Sequence, residues 1–189
     1  MSAVLWKLIS ILEVSLRNAI NVQLTLRSER RGLSSHWIFD EKGELGNRNS
    51  YSENKRPFRD VHTAIGRVRK NSKPVTAQQV ISETSLGFWH QLVSSKRLNI
   101  WPDLAGAFPY APSRDQKYVA ELVRDLRKLR NRISHHHRLH TQTIRSSEAA
   151  IFELAKAIDP DLSNWLEGIS TVNLLWERQP GPPARIDPR

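Results

Sequence analysis

The chain has 189 residues, of which 29 are Lys or Arg and 19 are Asp or Glu, leaving a formal charge of +10. That length suits one domain, able to bury about 70% of its unfolded surface without covalent staples, and a hydrophobic content of 39% with six Trp excludes a disordered basic tail. The absence of cysteine excludes disulfides, thiolate nucleophiles, iron-sulfur clusters and Cys-bearing zinc sites. A reducing compartment is compatible with that composition, and the cytoplasm is the expected location. No run approaches the ~18 apolar residues of a membrane span. The hydrophobic opening is broken by Lys7, Glu13 and Arg17 and lacks the pattern of a secretory signal. A folded body of this charge favours polyanions as partners and no membrane.

From Ala3 to about Arg27, apolar residues recur at three- and four-residue steps (Val4, Leu5, Leu8, Ile11, Leu12, Leu16, Ile20, Leu24), which predicts a long helix. Residues 31–57 turn to Gly, Asn, Ser and charge without periodicity and read as a long irregular loop. Val61, Ile65 and Val68 predict a short helix stopped by Pro74, and Thr76 is a cap for a further one, continuing into SLGFWHQLVS after a break around Gly87. NIWPDLAGAFPYAP, with three prolines, reads as a packed irregular connection. Ser113 and Gln116 form a capping-box pair ahead of Val119, Leu122, Leu126, Leu129 and Ile133, a five-turn amphipathic helix running up to a cluster of histidines. Ser147 is a candidate cap for EAAIFELAKAI, and Asp159 with Pro160 starts DPDLSNWLEGISTVNLLW as N-cap and first-turn proline. No alternating run of β type is present. The expectation is one all-α helical bundle over residues 1–178 with a proline-rich, disordered tail over 179–189.

The densest chemistry is LRKLRNRISHHHRLH, from Leu126 to His140. Arg130 follows Leu126 by one turn and lies at the edge of the buried stripe. His135 comes five residues later, about 140° further round a continuous helix, so the two converge only if the helix ends or a second chain completes the site. An imidazole exchanges protons near neutrality and a guanidinium braces phosphate oxygens through two donors. With RNA the 2′-hydroxyl supplies the nucleophile, and cations can stabilise the phosphorane without a metal. No carboxylate cluster for Mg²⁺ stands nearby, and no cofactor or metal is expected.

RNRISHH resembles the R-x4-6-H signature of HEPN domains in the form it takes in Abi-like (abortive infection) proteins. LEVSLRNAI is similar to the first-helix LEvaLRNa block of the same proteins, and SLGFWHQLVS with the following IWPDL resembles their LGFW-type block. The three blocks stand in the family's order and cover most of the chain from about Ile11 to His137. The resemblance implies a HEPN-like bundle that forms a homodimer with a composite active site. It also implies a toxin-like, antiviral RNase that cuts RNA to 2′,3′-cyclic phosphate and 5′-hydroxyl ends. Carried over, Arg130 and His135 are the catalytic pair, with Asn131 orienting them and the doubled His136 beside them; Glu13, Arg17 and Asn18 match polar positions that brace the motif from the first helix. Some HEPN toxins continue as R-x4-H-x-Y, with a tyrosine modified by a partner enzyme. His137 stands at that position here, so silencing by that route is not expected. The stretch ahead of the LEVSLRN block is short for the family, which predicts that an N-terminal element is absent. An antitoxin, protein or RNA, is a further partner such a toxin would take.

Other readings stand beside these. A HEPN module could bind RNA or dimerise without catalysis. His136 and His140, four apart, would suit a metal on one helical face. Glu13 and Arg17 could form an ordinary i, i+4 ion pair. Trp89, Trp101, Trp165 and Trp176 sit among leucines and read as core, although tryptophans also stack on bases. The basic runs at Arg67, Arg69, Lys70 and Lys73 and at Arg124, Arg127 and Lys128 read as solvated faces that could guide RNA.

Overall fold

The computed structural model describes residues 2–40, 43–45, 56–137 and 139–177. Among these residues the chain is helical with no strand, the all-α architecture that its periodicity predicts. Helix α1 (Ser2–Arg30) is the long first element, extending three residues beyond the expected end. Leu5, Leu8, Ile9, Leu12, Leu16, Ile20 and Leu24 are buried along it, and it packs against α4 (Leu86–Val93), α5 (Trp101–Leu104), α6 (Gln116–Ser134) and α7 (Thr141–Ile158). It is the axis on which α4 to α7 assemble.

The expected loop after α1 contributes to the core where it is described. A 3-10 turn over Trp37–Phe39 buries Trp37 and Ile38, and Leu45 is buried as well. Trp37 stacks on Phe88 with ring centroids 6.2 Å apart. Residues 41, 42 and 46–55, the middle of the expected loop, lie outside the described residues, as does the tail from 178 onward.

The short helix around Val61 is the fifteen-residue α2 (Arg56–Lys70), which stops ahead of Pro74 in a turn with Ser72 at φ +52°. Thr76 caps α3 (Ala77–Ser82) as predicted, its side chain accepting from the Gln79 amide at 3.3 Å. The break before α4 falls at Glu83–Ser85 and not at Gly87, which sits inside α4; a Cβ there would come within 3.4 Å of Ser85 Oγ. The proline-punctuated connection holds α5 and two 3-10 turns and buries Leu104, Ala107, Phe108 and Ala111.

Two expected caps are wrong. Asp115, not Ser113, caps α6, its carboxylate accepting from the Lys117 amide at 2.9 Å, while Ser113 occupies a turn at φ +51°. An ionised carboxylate beside the helix start is also the better match for the dipole. Ser147 lies inside α7, which begins six residues earlier, because Ile144 supplies a buried contact that extends the helix back. The Asp159 cap holds, with its side chain accepting from Asp161 N at 2.9 Å and Pro160 opening α8 (Pro160–Ile169). The stretch after α8 is a separate helix, α9 (Val172–Glu177). No helix among the described residues is long and apolar enough to cross a membrane.

Candidate functional site

The histidine cluster falls where α6 ends. His135 is the C-cap residue and donates its amide to Asn131 O at 3.1 Å. The His136 amide reaches Ile133 O at 3.0 Å and the His137 amide reaches Arg132 O at 2.9 Å, with His136 in the left-handed region at φ +55°. This pair of bonds is a Schellman stop, in which the left-handed position normally belongs to Gly or Asn. A histidine there costs on the order of 1 kcal/mol. The helix thus ends before His135, meeting the condition under which Arg130 and His135 can serve one site.

Arg130 is half-buried on α6, and its guanidinium carbon sits 5.8 Å from the ring centre of Trp6 on the first turns of α1. Its Nε is buried and has no hydrogen-bond partner. Buried polar atoms in folded proteins are nearly always satisfied, so an orphan nitrogen on a cation calls for an explanation. Beside this stack opens a cleft of about 600 Å³ lined by Ser2, Ala3, Trp6, Ile133, Ser134, His136 and His137. His135 does not line the cleft; its ring lies 6.0 Å from that of His137, which does. His135, His136 and His137 are all exposed. Ion pairs are found at Arg27, Arg30 and Arg31 with Glu44 and Asp103, and at Arg124 and Lys128 with Asp125.

The residues expected to support the pair divide. Asn131 is half-buried and its carbonyl anchors His135, while His136 lines the cleft. Glu13 and Arg17 are half-buried on the same flank of α1 as Trp6, but about 10 and 16 Å along its axis. No ion pair joins them among the described residues, and Arg17 Nε, like that of Arg130, is buried without a partner. Asn18 is exposed, about 120° round the helix from Trp6.

Trp6 is the residue that sequence reasoning passed over. Its signal was present: a large aromatic off the leucine stripe of a well-patterned helix, left 39% exposed in the fold. Of the other tryptophans, Trp89 is fully buried as expected, whereas Trp165 is 53% exposed on α8, and the side chain of Trp176 lies outside the described residues.

The metal alternative loses its geometry, because His136 lies beyond the end of α6 and His140 caps α7, so the two do not share a helical face. The described residues contain no group of three or more His, Asp or Glu placed to hold an ion. The basic runs are partly structural. Arg67 donates to Glu83 O at 3.1 Å, and Arg124 and Lys128 both reach Asp125 at 3.3 Å. Arg127 turns toward α4, where burial, then Arg127 and Arg124, hold the His90 imidazole below its ordinary pKa.

No protein-family model, curated protein or solved structure matches the chain.

Proposed function

We propose that the protein is a metal-independent endoribonuclease of the HEPN, Abi-like kind, acting as a toxin or in defence against phage. The observation that carries the reading is Arg130: a half-buried guanidinium stacked on Trp6 with an unpartnered Nε, one turn from an exposed histidine cluster. The +10 charge of the chain attracts the polyanion. Arg130 binds the scissile phosphate and steadies the charge that builds on its oxygens, and a fixed cation in a partly dehydrated place is strong for that purpose. His135 exchanges the proton of the 2′-hydroxyl or of the leaving oxygen. Asn131 holds the turn that carries His135, and His136 lines the cleft beside it. The products are a 2′,3′-cyclic phosphate and a 5′-hydroxyl. The resemblance in RNRISHH, LEVSLRNAI and SLGFWHQLVS supports the same reading and brings with it a homodimer in which two such motifs face each other, and a protein or RNA antitoxin as the partner that would silence it.

The test is incubation of purified wild type and His135→Ala with total RNA in EDTA, followed by end-group analysis. Cleavage by wild type alone, with cyclic phosphate ends, is the expected result. Equal cleavage by both proteins contradicts it. Binding by both without cleavage indicates an RNA-binding module with no catalytic step.

A further inference from the structure

Resting on the ribonuclease reading, we propose that His137 is the second proton-transfer group of the reaction, so that His135 and His137 of one chain form its acid-base pair. The ordinary requirement of the chemistry leads there. When the 2′-oxygen attacks phosphorus in line, it and the departing 5′-oxygen stand on opposite sides of the phosphorus atom. One imidazole cannot accept a proton on one side and deliver a proton on the other in the same step. Arg130 cannot supply the second function, because a guanidinium does not give up its proton in a protein. Asn131 and Ser134 do not titrate near neutrality either.

In the proposed homodimer the second imidazole comes either from the partner's His135 or from His137 of the same chain; the geometry within the chain favours His137, and the loss of rate on its removal separates the two. The His135 and His137 rings are 6.0 Å apart between centroids and inclined by 36°. At that separation the two rings can flank the reacting oxygens of a phosphodiester lying across the pair, with a nitrogen of each ring within about 2.6–3.2 Å of one oxygen. The spacing follows from the Schellman stop: the chain reverses at His136, at φ +55°, and returns His137 toward the end of α6 through its amide bond to Arg132 O. On a helix continuing through them, residues two apart would point about 160° from each other. The left-handed residue is therefore what sets the two rings side by side, and the strain at His136 has a use. His137 also lines the cleft against Trp6, on the side where Arg130 is held.

The step balances within the chain and its substrate. One imidazole takes the 2′-hydroxyl proton as the 2′-oxygen bonds to phosphorus. The bond from phosphorus to the 5′-oxygen breaks, and the other, protonated imidazole gives its proton to that oxygen.

The test compares wild type, His135→Ala and His137→Ala on two RNA oligonucleotides that differ only at the cleaved linkage, one ordinary and one with sulfur in place of the 5′-oxygen. A thiolate departs without being protonated, so removing the general acid is forgiven on the sulfur linkage, whereas removing the general base is not. Both variants should cleave ordinary RNA at least about 100-fold more slowly. On the sulfur linkage one of them should return to within about tenfold of wild type while the other stays slow. The His137 side chain takes no part in the hydrogen bonds of the stop, so melting temperatures should match; rates are expressed per folded molecule, and His137→Asn serves as a second variant. Wild-type rates in both His137 variants on ordinary RNA would overturn the assignment, and so would recovery of both variants or of neither on the sulfur linkage. A wild type that cleaves neither oligonucleotide would overturn the ribonuclease reading itself, and this inference with it.

Discussion

Arg27 and Arg130 are both arginines drawn toward the core from long helices, and the fold treats them in opposite ways. Arg27, with a side chain 9% exposed, donates through Nε to Asp103 at 2.8 Å and pairs with Glu44 through its terminal nitrogens. Arg30 and Arg31 bind the same two carboxylates from the outside. The cluster ties the last turn of α1 to α5 and to residues 43–45, and every charge in it has an opposite partner. Arg130 has a tryptophan face for a neighbour, an orphaned Nε and no ion-pair partner among the described residues. A matched buried charge is architecture, because its cost of dehydration is offset inside the fold. An unmatched one at a half-buried place is open to an anion that arrives. The contrast separates the end of the molecule that holds the shape from the end where the proposed function puts the phosphate.

The largest way to break this comparison is at the matched end. Arg27→Ala leaves Asp103 and Glu44 with only their outer partners, and stability should fall by about 2–3 kcal/mol, less than for a fully enclosed pair because both acids keep some solvent. Denaturant titration measures it. A loss below about 0.5 kcal/mol would mean that the cluster is ordinary surface pairing.

A smaller effect sharpens the other side. Trp6→Leu removes the face on which Arg130 rests but keeps an apolar side chain against α6. Cleavage should slow about two- to fivefold, the equivalent of about 0.5–1 kcal/mol of cation–aromatic attraction at a partly exposed site. Melting should change little. A rate loss matched by an equal loss of folded protein would assign Trp6 to packing alone.

Much of this arrangement was legible in the chain. The helix period gave α1 and α6, Thr76 and Asp159 gave the caps of α3 and α8, and RNRISHH marked the end of α6. The misplaced caps at Ser113 and Ser147 show the limit of local pattern: each is a hydroxyl in a permissible place, and burial of Ile144 or the stronger carboxylate of Asp115 decided the boundary instead. The expected loop hid a folded piece because Trp37, Ile38 and Leu45 are too widely spaced to show a period, yet all three are buried. The partnership of Trp6 with Arg130 was invisible for a different reason. It joins residues more than a hundred positions apart, and only the packing of α1 on α6 brings them together. The left-handed turn at His136 was equally hidden, since nothing in a run of histidines announces a stop that is usually made with glycine.

The most direct measurement is made on Arg130→Ala: its rate of RNA cleavage in EDTA and its melting temperature, determined on the same preparation. The account predicts a fall in rate of about 100- to 1,000-fold, the usual effect of removing one group that stabilises a developing oxyanion, with a melting temperature within a few degrees of wild type. A variant that melts far lower while each folded molecule still cleaves at the wild-type rate would place Arg130 with Arg27, as part of the framework, and would contradict the account.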